Sequence, residues 1–171
     1  MSPNPLDHLP PFPDPPAPIA VYLAERAAAE SVVDGPPPWD IGALSPELLA
    51  PLPAWLNAVC RWLNRTYAWQ PHHVIPPCWI EHEHLPYEVA ALAFARIEAY
   101  NDVGSVIVWH EQYDRFITRM NTMLGKTGDD CRAGKHDARP ARFALSAWPR
   151  RHDLAEDAEQ PSAADLPEDL V

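Results

Sequence analysis

The chain has 171 residues, enough for one domain of ordinary size, and its net charge is -11 at pH 7. Proline is abundant at 22 residues and glycine scarce at 6; 14 of the prolines lie within residues 1–53, and the acidic excess lies in the two ends of the chain. No window approaches the ~18 consecutive apolar residues of a membrane span, and the first residues lack the basic and apolar regions of a signal peptide. We therefore expect a cytoplasmic protein with no membrane contact.

Residues 1–44 predict a proline-rich arm with one short helix. Eight prolines in residues 1–18 favour an extended, flexible chain without stable packing. Residues 19–33 predict the helix, because Pro18 suits its first turn and glycine follows its end at Gly35. The apolar face of this helix is narrow, which predicts weak docking or contact with a partner.

Residues 45–152 predict a folded domain with three main helices. Ser45 is a good N-cap for its start, and apolar positions at helical spacing mark a helix over residues 53–67. A second helix is predicted over residues 86–101 and a third over residues 105–124, with Ser105 as its cap. The third has the clearest apolar repeat: Trp109, Tyr113, Phe116, Met120 and Leu124. The predicted fold class is all-α, a small three-helix domain with a helical hairpin.

The end of the chain combines a basic stretch with an acidic tail. Residues 153–171 hold seven acids and no base, which predicts disorder. The bases between residues 132 and 151 could contact nucleic-acid phosphates, or could form a solvated segment that the tail neutralises. They are Arg132, Lys135, Arg139, Arg142, Arg150 and Arg151.

The cysteines and nearby histidines suggest a metal site. Three cysteines in a cytoplasmic chain do not indicate a disulfide framework, and Cys60 falls among the inward positions of the first helix, which predicts a core residue. The other two give short Cys/His pairs, Cys78 with His84 and Cys131 with His136, and these residue types are the usual ligands of zinc. The hairpin between them runs ~24 Å out and ~30 Å back, so both pairs should meet at its open end. The alternative is that no metal binds and that Cys78 is a small core residue beside exposed histidines of the loop.

Catalytic patterns are incomplete in this sequence. The stretch Glu81–His84 supplies one Glu-x-x-His, whereas a di-iron bundle needs two, and there is no HExxH, G-x-S-x-G or P-loop. An enzyme is therefore not favoured, and a metal-dependent hydrolase is retained as the third hypothesis.

Residues 53–137 resemble an uncharacterised domain family of actinobacterial plasmids, integrative elements and phages. That family combines a Cys-x5-His segment, a helix with Trp and Asp, and a closing Cys-x4-His; Cys78 with His84, Trp109 with Asp114, and Cys131 with His136 match these elements. The chain departs from the family at Pro77, at Glu81 and His82, and at residues 127–130. The resemblance selects His84 over His82 as the ligand and implies no activity.

The leading functional hypothesis follows from the flexible ends and the incomplete catalytic patterns. It is a non-enzymatic accessory protein of a plasmid or phage, whose helical domain contains a zinc site and binds a protein partner. A nucleic-acid-binding accessory protein that uses residues 132–151 is the second hypothesis.

Overall fold

A computed structural model describes Asn4, residues 6–29 and residues 35–136. Within them the α-helices are α1 (Ala17–Ala28), α2 (Pro46–Leu49), α3 (Leu52–Tyr67), α4 (Leu85–Ala99), α5 (Val103–Leu124) and α6 (Gly128–Arg132). Short 3-10 helices span Pro71–His73, Trp79–Glu81 and Gly125–Thr127. The described residues contain no strand, so the predicted all-α class is confirmed.

Helices α4 and α5 form the predicted hairpin, and α3 packs against α4. The amphipathic pattern of α3 explains this packing, because one face of the helix is apolar and buried. Its buried residues are Leu52, Trp55, Leu56, Val59, Cys60, Trp62 and Leu63. Cys60 is 3 % exposed, which confirms that it is a core residue.

The start of α5 differs from the prediction. Asp102, and not Ser105, is its N-cap: Asp102 Oδ2 accepts hydrogen bonds from the backbone N of Ser105 at 2.8 Å and from Ser105 Oγ at 2.9 Å. These bonds hold the pKa of Asp102 below its ordinary value. An aspartate at this position satisfies a free N–H group at the start of the helix. Helix α5 ends at Leu124, where Gly125 adopts a φ of +53°.

The arm packs on the helical core, so the predicted lack of stable packing is wrong for residues 10–16. Trp62 Nε1 donates a hydrogen bond to the carbonyl oxygen of Pro10 at 2.9 Å, and Trp55 Nε1 donates one to that of Pro13 at 3.1 Å. Helix α1 also docks, because Ile19 is fully buried in the core. The sequence does not reveal this packing, because the bonded residues are far apart along the chain. Trp55 and Pro13 are separated by 42 residues, and Trp62 and Pro10 by 52.

Residues 125–136 are more regular than the irregular stretch that the sequence predicted. The 3-10 helix Gly125–Thr127 and α6 follow α5 directly, and a hydrogen bond from Arg132 of α6 to Asn121 Oδ1 joins α6 to α5. Residues 137–152 of the predicted domain and the predicted acidic tail, 153–171, lie outside the described residues. In the part of the chain that is described, no helix combines the length and the apolar character that crossing a bilayer would require.

Candidate metal centre

Four potential metal ligands converge at the open end of the α4–α5 hairpin. They are Cys78, His82, Cys131 and His136, and one donor atom from each lies within 4.8 Å of all the others. Both cysteines are buried and both histidines are half-buried. The predicted meeting of the two pairs at this end of the hairpin is therefore confirmed, with a different histidine in the first pair.

The first pair is positioned by the 3-10 helix Trp79–Glu81. Cys78 precedes this helix and His82 ends it, with the backbone N of His82 bonded to the carbonyl oxygen of Trp79 at 3.3 Å. The turn shortens the path between the two residues, because a 3-10 helix rises only about 2.0 Å per residue. As a result Cys78 Sγ lies 3.4 Å from His82 Nε2.

The second pair is positioned by the end of α6. The backbone N of Lys135 donates to the carbonyl oxygen of Asp130 at 2.8 Å, and the backbone N of Gly134 donates to the carbonyl oxygen of Cys131 at 3.1 Å. Gly134 has a φ of +76°. These bonds and the left-handed glycine define a Schellman motif, which reverses the chain direction. The reversal brings His136 back over the helix end, so that its Nδ1 lies 4.0 Å from Cys131 Sγ.

Arg132, next to Cys131, ties α6 to the loop that precedes the first pair. Its Nε donates to the carbonyl oxygen of Val74 at 3.0 Å, and its Nη2 donates to the carbonyl oxygen of His72 at 3.2 Å and to Asn121 Oδ1. Only 11 % of the side chain is exposed. Arg132 therefore has a structural role that competes with its predicted contact to nucleic acid.

Lys135 is exposed, as a base that contacts phosphate would be. The other four bases of the nucleic-acid hypothesis, Arg139, Arg142, Arg150 and Arg151, lie outside the described residues.

Burial and neighbouring groups favour the neutral forms of Cys78 and His82. Burial, and then the hydrogen bond and charge of Cys131, raise the pKa of Cys78 to about 11. Burial, and then the neighbouring His136 and His84, lower the pKa of His82, against the opposing effect of Glu81. A neutral imidazole is ready to bind a metal ion, whereas a thiol must first lose its proton.

The structure places His82, and not the predicted His84, in the cluster. His84 lies immediately before α4, and its ring centroid is 6.2 Å from that of His82. The ring of His82 packs edge-on against that of His136 at 4.9 Å. Sequence spacing carries no signal for His82 over His84, because the position of His82 depends on the 3-10 turn at Trp79–Glu81.

The donor set fits a tetrahedral ion. Ligand distances of ~2.3 Å for sulfur and ~2.0–2.1 Å for nitrogen place neighbouring donors roughly 3.3–3.8 Å apart. The donors of the cluster spread to at most 4.8 Å, so the widest pair would have to close by about 1–1.5 Å on binding. With this closure, these residues could hold a metal ion.

The fold and the site together define a small all-α domain with a candidate two-cysteine, two-histidine metal centre. No protein-family model, no curated protein and no solved structure matches this chain.

Proposed function

We propose that the protein is a non-enzymatic accessory protein of a plasmid or phage, whose helical domain is closed by a zinc ion and acts through protein contacts. The observation that carries the proposal is the convergence of Cys78, His82, Cys131 and His136 at the open end of the hairpin.

The donor types support zinc and a structural role. Two thiolates and two imidazoles in a tetrahedral arrangement suit Zn²⁺, whereas Mg²⁺ and Ca²⁺ prefer oxygen ligands. A catalytic zinc usually has three protein ligands and keeps one position for water. Four protein donors would fill the coordination shell, which supports a structural ion over the hydrolase hypothesis.

The position of the cluster indicates what the ion would stabilise. Residues 125–136 contribute only Gly128 and Cys131 as buried residues, so apolar burial does little to hold this segment. A zinc ion would link it to residues 78–82 across the open end of the hairpin. Metal binding would therefore supply part of the folding free energy of this end of the domain.

Exposed apolar side chains support a role in protein contacts. A wholly apolar surface pocket of about 240 Å³ lies between α2, α3 and the 3-10 helix that precedes His82, and exposed Leu49 and Ile80 line it. Val103, Ile107 and Val108 are more than half exposed at the start of α5. Clustered exposed apolar residues are typical of interaction surfaces.

The resemblance of Cys131 and His136 to the closing Cys-x4-His pair of the family supports the mobile-element part of the proposal. Neighbouring genes test it: conjugation, replication or virion genes are expected beside the coding sequence. A position within a chromosomal operon of housekeeping metabolism would contradict it.

Elemental analysis tests the zinc site. The full chain, purified with a reducing agent and without chelators, should contain close to one zinc ion per molecule, and Cys131→Ser should lose it. Cys60→Ala is the matched control, because Cys60 lies in the core outside the cluster, and its zinc content should be unchanged. A wild-type zinc content near zero would refute the site.

A further inference from the structure

The proline-rich arm lies along α3 and is held by backbone recognition. The two indole N–H groups of Trp62 and Trp55 donate to the carbonyl oxygens of Pro10 and Pro13. Proline has no backbone N–H, so at Pro10 and Pro13 the backbone can only accept a hydrogen bond. Two tryptophans thus bind the backbone of the proline-rich segment, as the aromatic residues of grooves that bind polyproline II segments do.

The exposure of the arm has the three-residue period of a polyproline II helix. Pro11 and Asp14, three residues apart, are exposed, and Pro16, the last residue before α1, has φ -57° and ψ 148°. The other residues of the segment 10–16 are half-buried: Pro10, Phe12, Pro13, Pro15 and Pro16. One edge of the extended helix therefore faces α3, and the other faces solvent.

The spacing of the donors matches the spacing of the acceptors. Trp55 and Trp62 are seven residues apart, which is ~10.5 Å along an α-helix. Pro10 and Pro13 are three residues apart, which is ~9.3 Å along a polyproline II helix. Two turns of α3 thus correspond to one turn of the arm, which runs antiparallel to α3 because Pro10 meets Trp62 and Pro13 meets Trp55.

An aromatic side chain fits between the two carbonyls. The Phe12 ring packs edge-on against Trp62, with centroids 5.1 Å apart and an interplanar angle of 86°. The guanidinium carbon of Arg96, a residue 8 % exposed, lies 4.7 Å from the Phe12 centroid and 5.1 Å from that of Trp62. A buried cation over two aromatic faces favours an aromatic residue at this place in the ligand.

We propose that Trp55, Trp62 and Arg96 form a binding groove for proline-rich segments of the pattern Pro-x-Phe-Pro, which a partner protein presents and which the arm occupies in cis. This inference names the class of partner for the proposed role in protein contacts, on which it rests, and it does not depend on the metal ion. Tethering gives the arm a millimolar effective concentration. The arm therefore weakens binding of the partner until it is displaced.

A peptide-binding experiment tests the groove in the full chain. The probe is a fluorescent peptide with the sequence of residues 9–16, Leu-Pro-Pro-Phe-Pro-Asp-Pro-Pro. Phe12→Ala weakens the cis arm and leaves the groove intact, so this variant should bind the peptide about tenfold or more tightly than the wild-type chain does. A peptide with Ala in place of Phe should bind about tenfold more weakly.

Substitution in the groove identifies the donors. Trp62→Phe, added to the Phe12→Ala chain, retains an aromatic ring and removes one N–H donor, so binding should weaken about two- to tenfold. Trp69→Phe is the control at an 82 % exposed tryptophan and should leave binding unchanged. A Phe12→Ala chain with wild-type helicity and no saturable binding at millimolar peptide would overturn the inference.

A second measurement uses the wild-type chain, in case Phe12→Ala does not fold. A spin-labelled peptide that exchanges with the arm should broaden the indole N–H resonances of Trp55 and Trp62. The same peptide with its spin label reduced to a diamagnetic form is the control. Absence of broadening at millimolar peptide would overturn the inference. A wild-type dimer that Trp62→Phe converts to a monomer would also overturn it, because the groove would then be occupied by the arm of a second copy.

Zinc content, measured on the same samples, separates the two proposals. A chain that contains zinc and does not bind the peptide would refute the groove alone. A chain that binds the peptide and contains no zinc would refute the metal site alone.

Discussion

His136 Nε2 lies 3.3 Å from Glu81 Oε2, while the other ring nitrogen of His136, Nδ1, faces Cys131 Sγ. A metal ion bound at Nδ1 would leave Nε2–H to donate to the carboxylate. A carboxylate that accepts from the second nitrogen of a ligand histidine fixes its tautomer and orientation. Glu81 would therefore support a metal ion at this site, a role that its sequence position does not indicate.

Glu81→Ala should weaken zinc binding about tenfold, the lower end of the range for such partners, because Glu81 is 57 % exposed. Competition with a chromogenic chelator would measure the affinity. Glu83→Ala is the control, since Glu83 is exposed in the same loop. Equal affinity for both variants would show that Glu81 does not support the site.

His82→Ala should lose bound zinc, and His84→Ala should retain it. The reason is geometric: His82 Nε2 lies 3.4 Å from Cys78 Sγ, and His84 is not part of the cluster. Zinc per chain, together with the d–d spectrum of the cobalt-substituted protein, would distinguish the variants. The opposite result would restore the ligand set that the sequence predicted.

Trp109→Ala should lower the free energy of unfolding by ~3–5 kcal/mol, as truncation of a buried tryptophan does. Trp109 is 2 % exposed, and its Nε1 donates to the carbonyl oxygen of Leu92 at 3.0 Å, which joins α5 to α4. Trp69→Ala, at an 82 % exposed position, should change it by no more than about 0.5 kcal/mol. Urea unfolding would measure both, and similar values would show that Trp109 is not part of the core.

Cys60 should make the domain sensitive to alkali. Burial raises the pKa of Cys60 from 9.0 to about 12, so below pH 9 the thiol is protonated in both the folded and the unfolded state. Between about pH 9 and 12 the unfolded state loses this proton and the folded state keeps it, and stability therefore falls as pH rises.

Urea unfolding from pH 8 to 11 would test this dependence. The free energy of unfolding of Cys60→Ala should fall with rising pH less steeply than that of the wild-type chain, by up to about 1.4 kcal/mol per pH unit. Other titrating groups are common to both chains and cancel in the difference. Identical slopes would mean that the Cys60 thiolate is not disfavoured in the folded state.

The sequence by itself determined the three main helices and the place of the candidate site. The apolar repeat of α5 and the breaks at its ends are local signals, so they identify the hairpin without knowledge of its contacts. Two antiparallel helices joined by a short turn bring the chain back toward its starting point, which is why Cys78 and Cys131 could be predicted to meet.

Only the tertiary structure decided which histidine joins the cluster and where the arm lies. The 3-10 turn that directs His82 inward depends on loop dihedrals that no apolar period specifies. The docking of Pro10 and Pro13 depends on indole donors that lie 52 and 42 residues away in the sequence. The sequence of the arm does not indicate this contact, because a proline-rich segment is extended whether or not α3 is beside it.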